Sequence, residues 1–181
     1  MRAGEARYQH EIESIDLALR FIRLEARTST IRAFTGLSCD RIRKLSHQYA
    51  HPSYRHRGKS PHQAGYFIRS AKVRHQASFL AGVLCSCGLS IDEPSAGATF
   101  ACLATGELLF DAYEYYRQVV STPVISFEYA VFLAQCLLRG DQLRLVCCVD
   151  CNIPLLAEPF PEGPRRCDYC EPDYRRRRTS C

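Results

Sequence analysis

The chain has 181 residues, of which 46% are hydrophobic and 24% charged, with 11 cysteines and no tryptophan. This length suffices for a compact domain with a hydrophobic core, and the composition excludes disordered, collagen-like and low-complexity proteins. The formal net charge is +5, and arginine outnumbers lysine by 21 to 3. Because arginine donates paired hydrogen bonds to phosphate and guanine, this bias favours a nucleic-acid partner, although GC-rich coding produces the same bias.

The charges are segregated along the chain. Residues 1–75 carry 15 basic and 6 acidic side chains, residues 76–164 carry 3 and 10, and residues 165–181 carry 6 and 3. The net charges of the three segments are therefore +9, −7 and +3. Two basic ends around an acidic centre predict polyanion-binding surfaces at the ends and a protein-binding region between them.

The cysteines are expected to be reduced. Residues 1–10 lack the apolar core of a secretory signal, and the longest strongly apolar stretch, residues 79–85, is too short to span a bilayer. These features predict a cytoplasmic protein with no membrane segment. In that compartment paired thiols bind metal more often than they form disulfides.

The first predicted element is an amphipathic helix. Apolar residues spaced by three and four predict one apolar stripe along it. The stripe consists of Ile12, Ile15, Leu19, Ile22 and Ala26.

Two short helices are predicted next, over residues 28–36 and from Ser38 toward Tyr49, and they meet at Gly36. A glycine permits the sharp turn of a helix-turn-helix, whose second helix reads DNA. The apolar residues that would pack the pair are Ile31, Leu37, Ile42 and Leu45. Candidate base contacts are Ser38, Cys39, Arg41 and Arg43, and candidate phosphate contacts are Arg32 and Lys44. The alternative is a helical hairpin that only packs the core.

The rest of the chain divides by composition. Residues 51–65 contain prolines, glycines and three histidines and predict a loop. Helices are predicted from residue 66 to near Gly88, over residues 100–120 and over residues 126–138, with aromatic side chains in their packing faces. The predicted division is N-terminal helices with the DNA-binding segment (1–50), loop (51–65), helical core and partner-binding region (66–146), zinc module (147–174) and basic tail (175–181).

The strongest motif is a double Cys-x-x-Cys: Cys148 and Cys151, then fifteen residues, then Cys167 and Cys170. Two such pairs at this separation are typical of one structural Zn²⁺ held by four thiolates, with a short strand expected between them. Cys147 is an alternative ligand for the first pair. A site with four protein ligands leaves no open position for catalysis, and no hydrolase or deaminase motif is present, so no enzymatic activity is predicted.

The remaining cysteines and the C-terminal arginines have simpler interpretations. Five cysteines in helical segments are expected to be buried as small apolar residues: Cys39, Cys85, Cys87, Cys102 and Cys136. Cys181 is a terminal thiol. Six arginines in and after the zinc module are candidate DNA contacts: Arg165, Arg166, Arg175, Arg176, Arg177 and Arg178.

These features together predict a mainly α fold, with a helical body, a helix-turn-helix-like segment and a small C-terminal four-cysteine zinc module. In this order they resemble the FlhC family, a subunit of the bacterial flagellar master transcriptional regulator. The likeness spans about residues 12–178 and is carried by residues 18–22, 36–45, 66–67, 75–79 and 112–113 and by the four cysteines. The histidine- and arginine-rich loop, the lack of tryptophan and the short tail depart from familiar members.

The resemblance implies a transcriptional activator subunit rather than an enzyme. It would form a hetero-oligomer with an FlhD-type protein, four of that partner with two of this chain, bind promoter DNA of flagellar class II operons and recruit RNA polymerase. The four cysteines would hold the zinc ion. The alternatives are an FlhC-like activator of conjugative-element transfer genes, a zinc-stabilised protein that binds RNA or an acidic protein, and, more weakly, a thiol redox or zinc enzyme.

Overall fold

The computed structural model describes residues 3–49, 60–91, 100–160 and 165–170. Within these residues the fold has six α-helices, a short 3-10 helix (Ala64–Ile68) and one two-stranded sheet. The α-helices are α1 (Ala3–Arg23), α2 (Thr28–Thr35), α3 (Cys39–Tyr49), α4 (Ala71–Ser86), α5 (Leu103–Val119) and α6 (Phe127–Arg139). The strands are β1 (Arg144–Cys147) and β2 (Pro154–Ala157). The predicted mainly helical fold with a C-terminal cysteine cluster is confirmed.

Local capping explains where several helices begin and end. Gly36 and Gly140 follow α2 and α6 with φ of 69° and 64°, the left-handed conformation that glycine adopts at helix C-termini. Ser126 precedes α6, and its side chain accepts a hydrogen bond from the N–H of Tyr129. These caps lie where the sequence predicted the helix boundaries.

The buried face of α1 differs from the predicted apolar stripe. Ile12 is 60% exposed, and Leu19 is only partly buried. The buried face instead consists of Ser14, Leu17, Ala18, Phe21 and Ile22. The predicted stripe is confirmed for Ile22 and Ala26, which are buried, and wrong for Ile12, because α1 packs against α2, α3 and α5, and these three neighbours decide which of its faces is covered.

The three N-terminal helices pack on one another in all three pairs. Ile31, Leu37 and Ile42 are buried where α2 and α3 meet, and Leu45 is half-buried, as the spacing predicted. One apolar core joins these helices to α4, α5, α6 and β2. The α2–turn–α3 segment therefore packs on the same hydrophobic core as the rest of the described chain.

Gly106 marks a close approach of α5 to α1 and α2. A Cβ at this position would lie 2.6 Å from Leu17 Cδ2 and 3.4 Å from Phe34 Cβ. We expect Gly106→Ala to cost about 1–3 kcal/mol and to lower the thermal unfolding midpoint by about 2–10 °C, because the buried side chain of Leu17 on α1 has to shift. Gly65→Ala is the control, since no atom lies within 4 Å of a Cβ there. Equal midpoints for the two variants would contradict this packing.

Two smaller predictions are also corrected. Ala64 and Gly65, placed in the predicted loop, belong to the 3-10 helix, and residues 51–59 of that loop lie outside the described residues. Tyr116 is fully buried, as expected of a packing residue, whereas its neighbour Tyr115 is 52% exposed.

Among the described residues, no helix combines the length and apolar character needed to cross a membrane.

Candidate metal centre

The first cysteine pair lies in the turn of the β1–β2 hairpin. The strands are antiparallel, with Cys147 opposite Pro154. In the turn, the N–H of Cys148 donates to the carbonyl of Ile153, and the N–H of Asn152 donates to the carbonyl of Cys148, both over 2.9 Å. Asn152 has φ of 59°, a left-handed conformation that asparagine tolerates. The hairpin turn thus presents both cysteines of the pair from one tight loop.

The second pair forms a turn that is bonded to the first. The N–H of Cys170 donates to the carbonyl of Cys167 over 3.0 Å. Two backbone N–H groups donate hydrogen bonds between the turns: the N–H of Val149 donates to the carbonyl of Arg165 over 2.9 Å, and the N–H of Cys167 donates to Cys148 Sγ over 3.3 Å. The backbone therefore brings together two segments that fifteen residues separate.

The four sulfur atoms of Cys148, Cys151, Cys167 and Cys170 lie within 4.8 Å of one another. The Sγ atoms of Cys151 and Cys167 are 3.5 Å apart. A tetrahedral ion with metal–sulfur bonds of about 2.3 Å needs sulfur–sulfur distances of about 3.8 Å, so the cluster is close to the size of a tetrathiolate site. These residues could hold a metal ion.

The four thiols differ in exposure and acidity. Cys148 and Cys167 are 2% and 6% exposed, while Cys151 is exposed and Cys170 half-buried. Burial opposes ionisation of Cys148, but backbone hydrogen bonds from Cys151, Cys167 and Asp150 outweigh it and lower its pKa to about 6. A hydrogen bond from the Cys170 backbone lowers the pKa of Cys167 as well. Side-chain hydrogen bonds with Cys151 and Cys167 raise the pKa of Cys170, and the pKa of Cys151 is raised as well. Thiolates are the metal-binding form, so without a cation only Cys148 and Cys167 are favoured in that form.

The other cysteines are arranged differently from what was expected. Cys147 is exposed and lies outside the group of four, although it directly precedes that group. Of the five cysteines predicted to be buried, only Cys136 is buried; Cys39 and Cys85 are half-buried, and Cys87 and Cys102 are exposed. That prediction was wrong for four positions because they lie at helix ends or on partly open faces.

The candidate DNA contacts of the N-terminal helices are all on the surface. Exposed side chains are found at Arg32 on α2, Ser38 in the turn, and Arg41, Arg43 and Lys44 on α3; Cys39 is half-buried. Ser38 Oγ accepts the N–H of Arg41 over 3.3 Å and so caps α3. Arg41 pairs with Glu11 of α1 over 2.7 Å, and Arg43 pairs with Asp40 over 3.2 Å.

The two arginines of residues 147–174, the segment predicted as a zinc module and called the cysteine module from here on, have partners within it. Arg165 donates to the carbonyl of Glu158 over 3.0 Å and is half-buried. Arg166 pairs with Asp150 over 2.8 Å. Residues 175–178, the arginine run predicted to contact DNA, lie outside the described residues.

Sequence reasoning missed Glu128, which supports the start of α2. This carboxylate of α6 is 9% exposed. Its Oε1 accepts the backbone N–H of Arg27 over 2.8 Å, and its Oε2 accepts the hydroxyl of Thr30 over 3.0 Å. The Arg27 Nε lies 3.7 Å from Oε2. Because a negative charge stabilises a helix N-terminus, Glu128 takes the place of a local cap for α2, which has no side-chain cap bond from residue 27.

Sequence reasoning also missed the contacts between the cysteine module and α4. Asp168 forms an ion pair with Arg74, its Oδ2 lies 2.9 Å from His75 Nε2, and the ring of Tyr169 stacks on His75. The N–H of Leu156 donates to Ser78 Oγ over 2.9 Å. These partners are far apart in sequence, so no local pattern could have indicated them.

A largely apolar groove of about 790 Å³ lies between α4, β2 and the second cysteine turn. Its lining includes Phe79, Gly82 and Val83 of α4 and Leu155 of β2. Tyr115 of α5 and Tyr169 of the cysteine module also line it. A surface of this kind can bury an apolar ligand or part of another protein.

Comparison with known proteins adds no family assignment. No protein-family model matches the chain, and no curated protein matches it. The functional interpretation therefore depends on the cysteine cluster, the N-terminal helices and the charge distribution.

Proposed function

We propose that this chain is the DNA-binding subunit of a cytoplasmic transcriptional activator of the FlhC type. It acts with an FlhD-type partner at flagellar class II promoters and recruits RNA polymerase there. The observation that carries the proposal is the α2–turn–α3 segment, which combines a buried apolar seam with exposed basic side chains on α3. Binding rather than catalysis is the role of the chain in this proposal.

The geometry of α3 supports DNA binding. Gly36 in the left-handed conformation allows the chain to reverse between the two helices, and α1 packs against both of them. In the described part of the chain, Arg41 and Arg43 form exposed ion pairs, which contribute at most about 1 kcal/mol in water. Phosphate or a base edge can therefore replace their present partners at low cost.

The cysteine cluster supports a structural zinc ion in this proposal. Four sulfur ligands select zinc or an iron–sulfur centre over magnesium, calcium or manganese. With all four positions filled by the chain, zinc would tie the two turns together without an open site for substrate. Its role would be to fold the module rather than to supply chemistry.

The acidic middle segment supports a protein partner. Residues 76–164 carry a net charge of −7, and α5 within it exposes Tyr115 and Val119. Exposed aromatic side chains are enriched at protein interfaces, and the negative charge of the segment would steer a basic partner surface toward it. This surface is our candidate for the FlhD-type subunit, with the family stoichiometry of four partner chains to two of this chain.

We expect the complex of this chain with an FlhD-type partner to bind a flagellar promoter duplex in a salt-dependent manner. With about 6 to 10 phosphate contacts, affinity should fall about a thousandfold or more between 50 and 200 mM salt. Arg43→Ala should weaken specific binding by about 1–3 kcal/mol if Arg43 contacts a base. Fluorescence anisotropy with promoter and scrambled duplexes measures both effects.

Arg117→Ala is the matched control for Arg43→Ala. Arg117 is also an exposed helical arginine, and it pairs with Glu114 three residues earlier over 3.0 Å, as Arg43 does with Asp40. Equal loss for the two variants, or equal affinity for promoter and scrambled duplexes, would contradict specific DNA recognition by α3. Tighter binding to RNA would favour the RNA-binding alternative, and preference for transfer-gene promoters would favour the conjugative-element alternative.

A further inference from the structure

The two residues between the cysteines of the second pair contact α4. The Asp168 carboxylate pairs with the Arg74 guanidinium, and its Oδ2 lies 2.9 Å from His75 Nε2. The rings of Tyr169 and His75 are stacked, with centroids 5.1 Å apart and planes 10° from parallel. Arg74 and Asp168 are 24% and 14% exposed, so water screens their ion pair only partly. We call these four residues the dock.

The dock and the cysteine cluster share one turn. Asp168 and Tyr169 are covalently flanked by Cys167 and Cys170, two members of the cluster. A metal ion bound to both sulfurs would hold this turn in one conformation and offset the negative charge of the gathered thiolates. Without a cation, the second cysteine turn keeps only non-covalent contacts, among them the hydrogen bonds from the N–H of Val149 and from the N–H of Cys167, which hold it far less firmly than metal–sulfur bonds would.

The hairpin reaches α4 by separate contacts. The N–H of Leu156 donates to Ser78 Oγ, and Pro154 Cγ would lie 3.8 Å from a Cβ at Gly82. These contacts involve β2 and need no residue of the second cysteine turn. The groove beside α4 therefore has one wall that the hairpin supplies and another that the Asp168–Tyr169 turn supplies.

We propose that metal binding by the four cysteines builds the dock, with Asp168 as the positioning residue, and that the groove beside α4 is complete only in the metal-loaded protein. The inference rests on metal binding by the cluster and not on DNA binding or on a partner. It makes the cysteine module more than a folding unit, because the metal then controls a surface on the helical core. Zinc is the metal used to test it.

Hydrogen–deuterium exchange of the full chain, read by mass spectrometry, tests the proposal. Removing zinc with a chelator should speed exchange in residues 71–78 of α4 by about tenfold, because the partly buried ion pair of Asp168 with Arg74 and the stacking of Tyr169 on His75 are lost. Asp168→Asn should produce the same increase while one zinc per chain remains bound. Peptides from α1 and α2 should exchange at the rate of the unaltered protein, which shows that the helical body stays folded.

Asp150→Asn is the matched control. Asp150 lies between the cysteines of the first pair and bonds to Arg166 within the module, so its loss should leave exchange in residues 71–78 unchanged. Zinc removal without effect on residues 71–78, or equal effects of the two substitutions, would overturn the proposal while leaving the metal centre intact. A chain that takes up no zinc would overturn both the proposal and the metal centre. These outcomes do not depend on whether the chain binds DNA.

Discussion

Cys148→Ser should abolish stable zinc binding and unfold the cysteine module. Cys148 is buried, belongs to the sulfur cluster and accepts the N–H of Cys167 through its sulfur. A hydroxyl is a poor zinc ligand, and binding at such sites is coupled to folding, with apparent free energies of about 10–16 kcal/mol in small zinc domains. We expect the zinc content after dialysis to fall from about one ion per chain to almost none.

Cys147→Ser is the control for that measurement. Cys147 is the adjacent residue, is exposed and lies outside the cluster. Its substitution should leave the zinc content and the cleavage pattern under limited proteolysis unchanged. Full zinc occupancy in Cys148→Ser, or loss of zinc in Cys147→Ser, would show that the ligand set is different from the one described.

Glu128→Ala should destabilise the chain by about 2–4 kcal/mol and lower the unfolding midpoint by about 5–15 °C. The substitution leaves the N–H of Arg27 and the hydroxyl of Thr30 without their carboxylate acceptor, in a part-buried position. Since these groups lie at the start of α2, the α2–α3 segment should lose protection from hydrogen exchange before the rest of the core. Calorimetry measures the first effect and exchange mass spectrometry the second.

Glu114→Ala provides the comparison for Glu128→Ala. Glu114 pairs with Arg117 on the same helix, and the Arg117 side chain is 47% exposed. Loss of this solvent-exposed ion pair should change the free energy of unfolding by less than about 1 kcal/mol. A midpoint for Glu128→Ala close to that of Glu114→Ala would mean that the carboxylate does not support α2. If the proposed function is correct, Glu128→Ala should also weaken DNA binding, although Glu128 is not among the exposed basic side chains of α3.

Much of the architecture follows from local sequence signals. The glycines at 36 and 140 end α2 and α6, because glycine adopts the left-handed conformation without a Cβ clash. The spacing of the cysteine pairs predicted the sulfur cluster, because each Cys-x-x-Cys pair needs only one tight turn to bring its two sulfur atoms to the same side. The seam between α2 and α3 was also predictable, since its apolar residues recur at helical intervals.

The contacts between distant segments depend on tertiary packing. Spacing placed Ile12 on the apolar stripe of α1, but three neighbouring helices cover a different face, so Ile12 is exposed. Whether a cysteine such as Cys87 is buried depends in the same way on which elements surround its helix end. Hydrophobic periodicity predicts that a helix has an apolar face, whereas the neighbouring elements decide which side chains of the helix are buried.

By itself, the sequence determined the helical fold class, the helix ends at glycine, the α2–α3 seam and the four cysteines of the cluster. Only the tertiary structure decided the buried face of α1, the support of α2 by Glu128 and the contact of Asp168 with α4. The physical reason is the distance along the sequence over which each interaction acts. Caps, turns and helical spacing act within a few residues, whereas an ion pair or a buried face depends on how separate elements pack, which no short stretch of sequence contains.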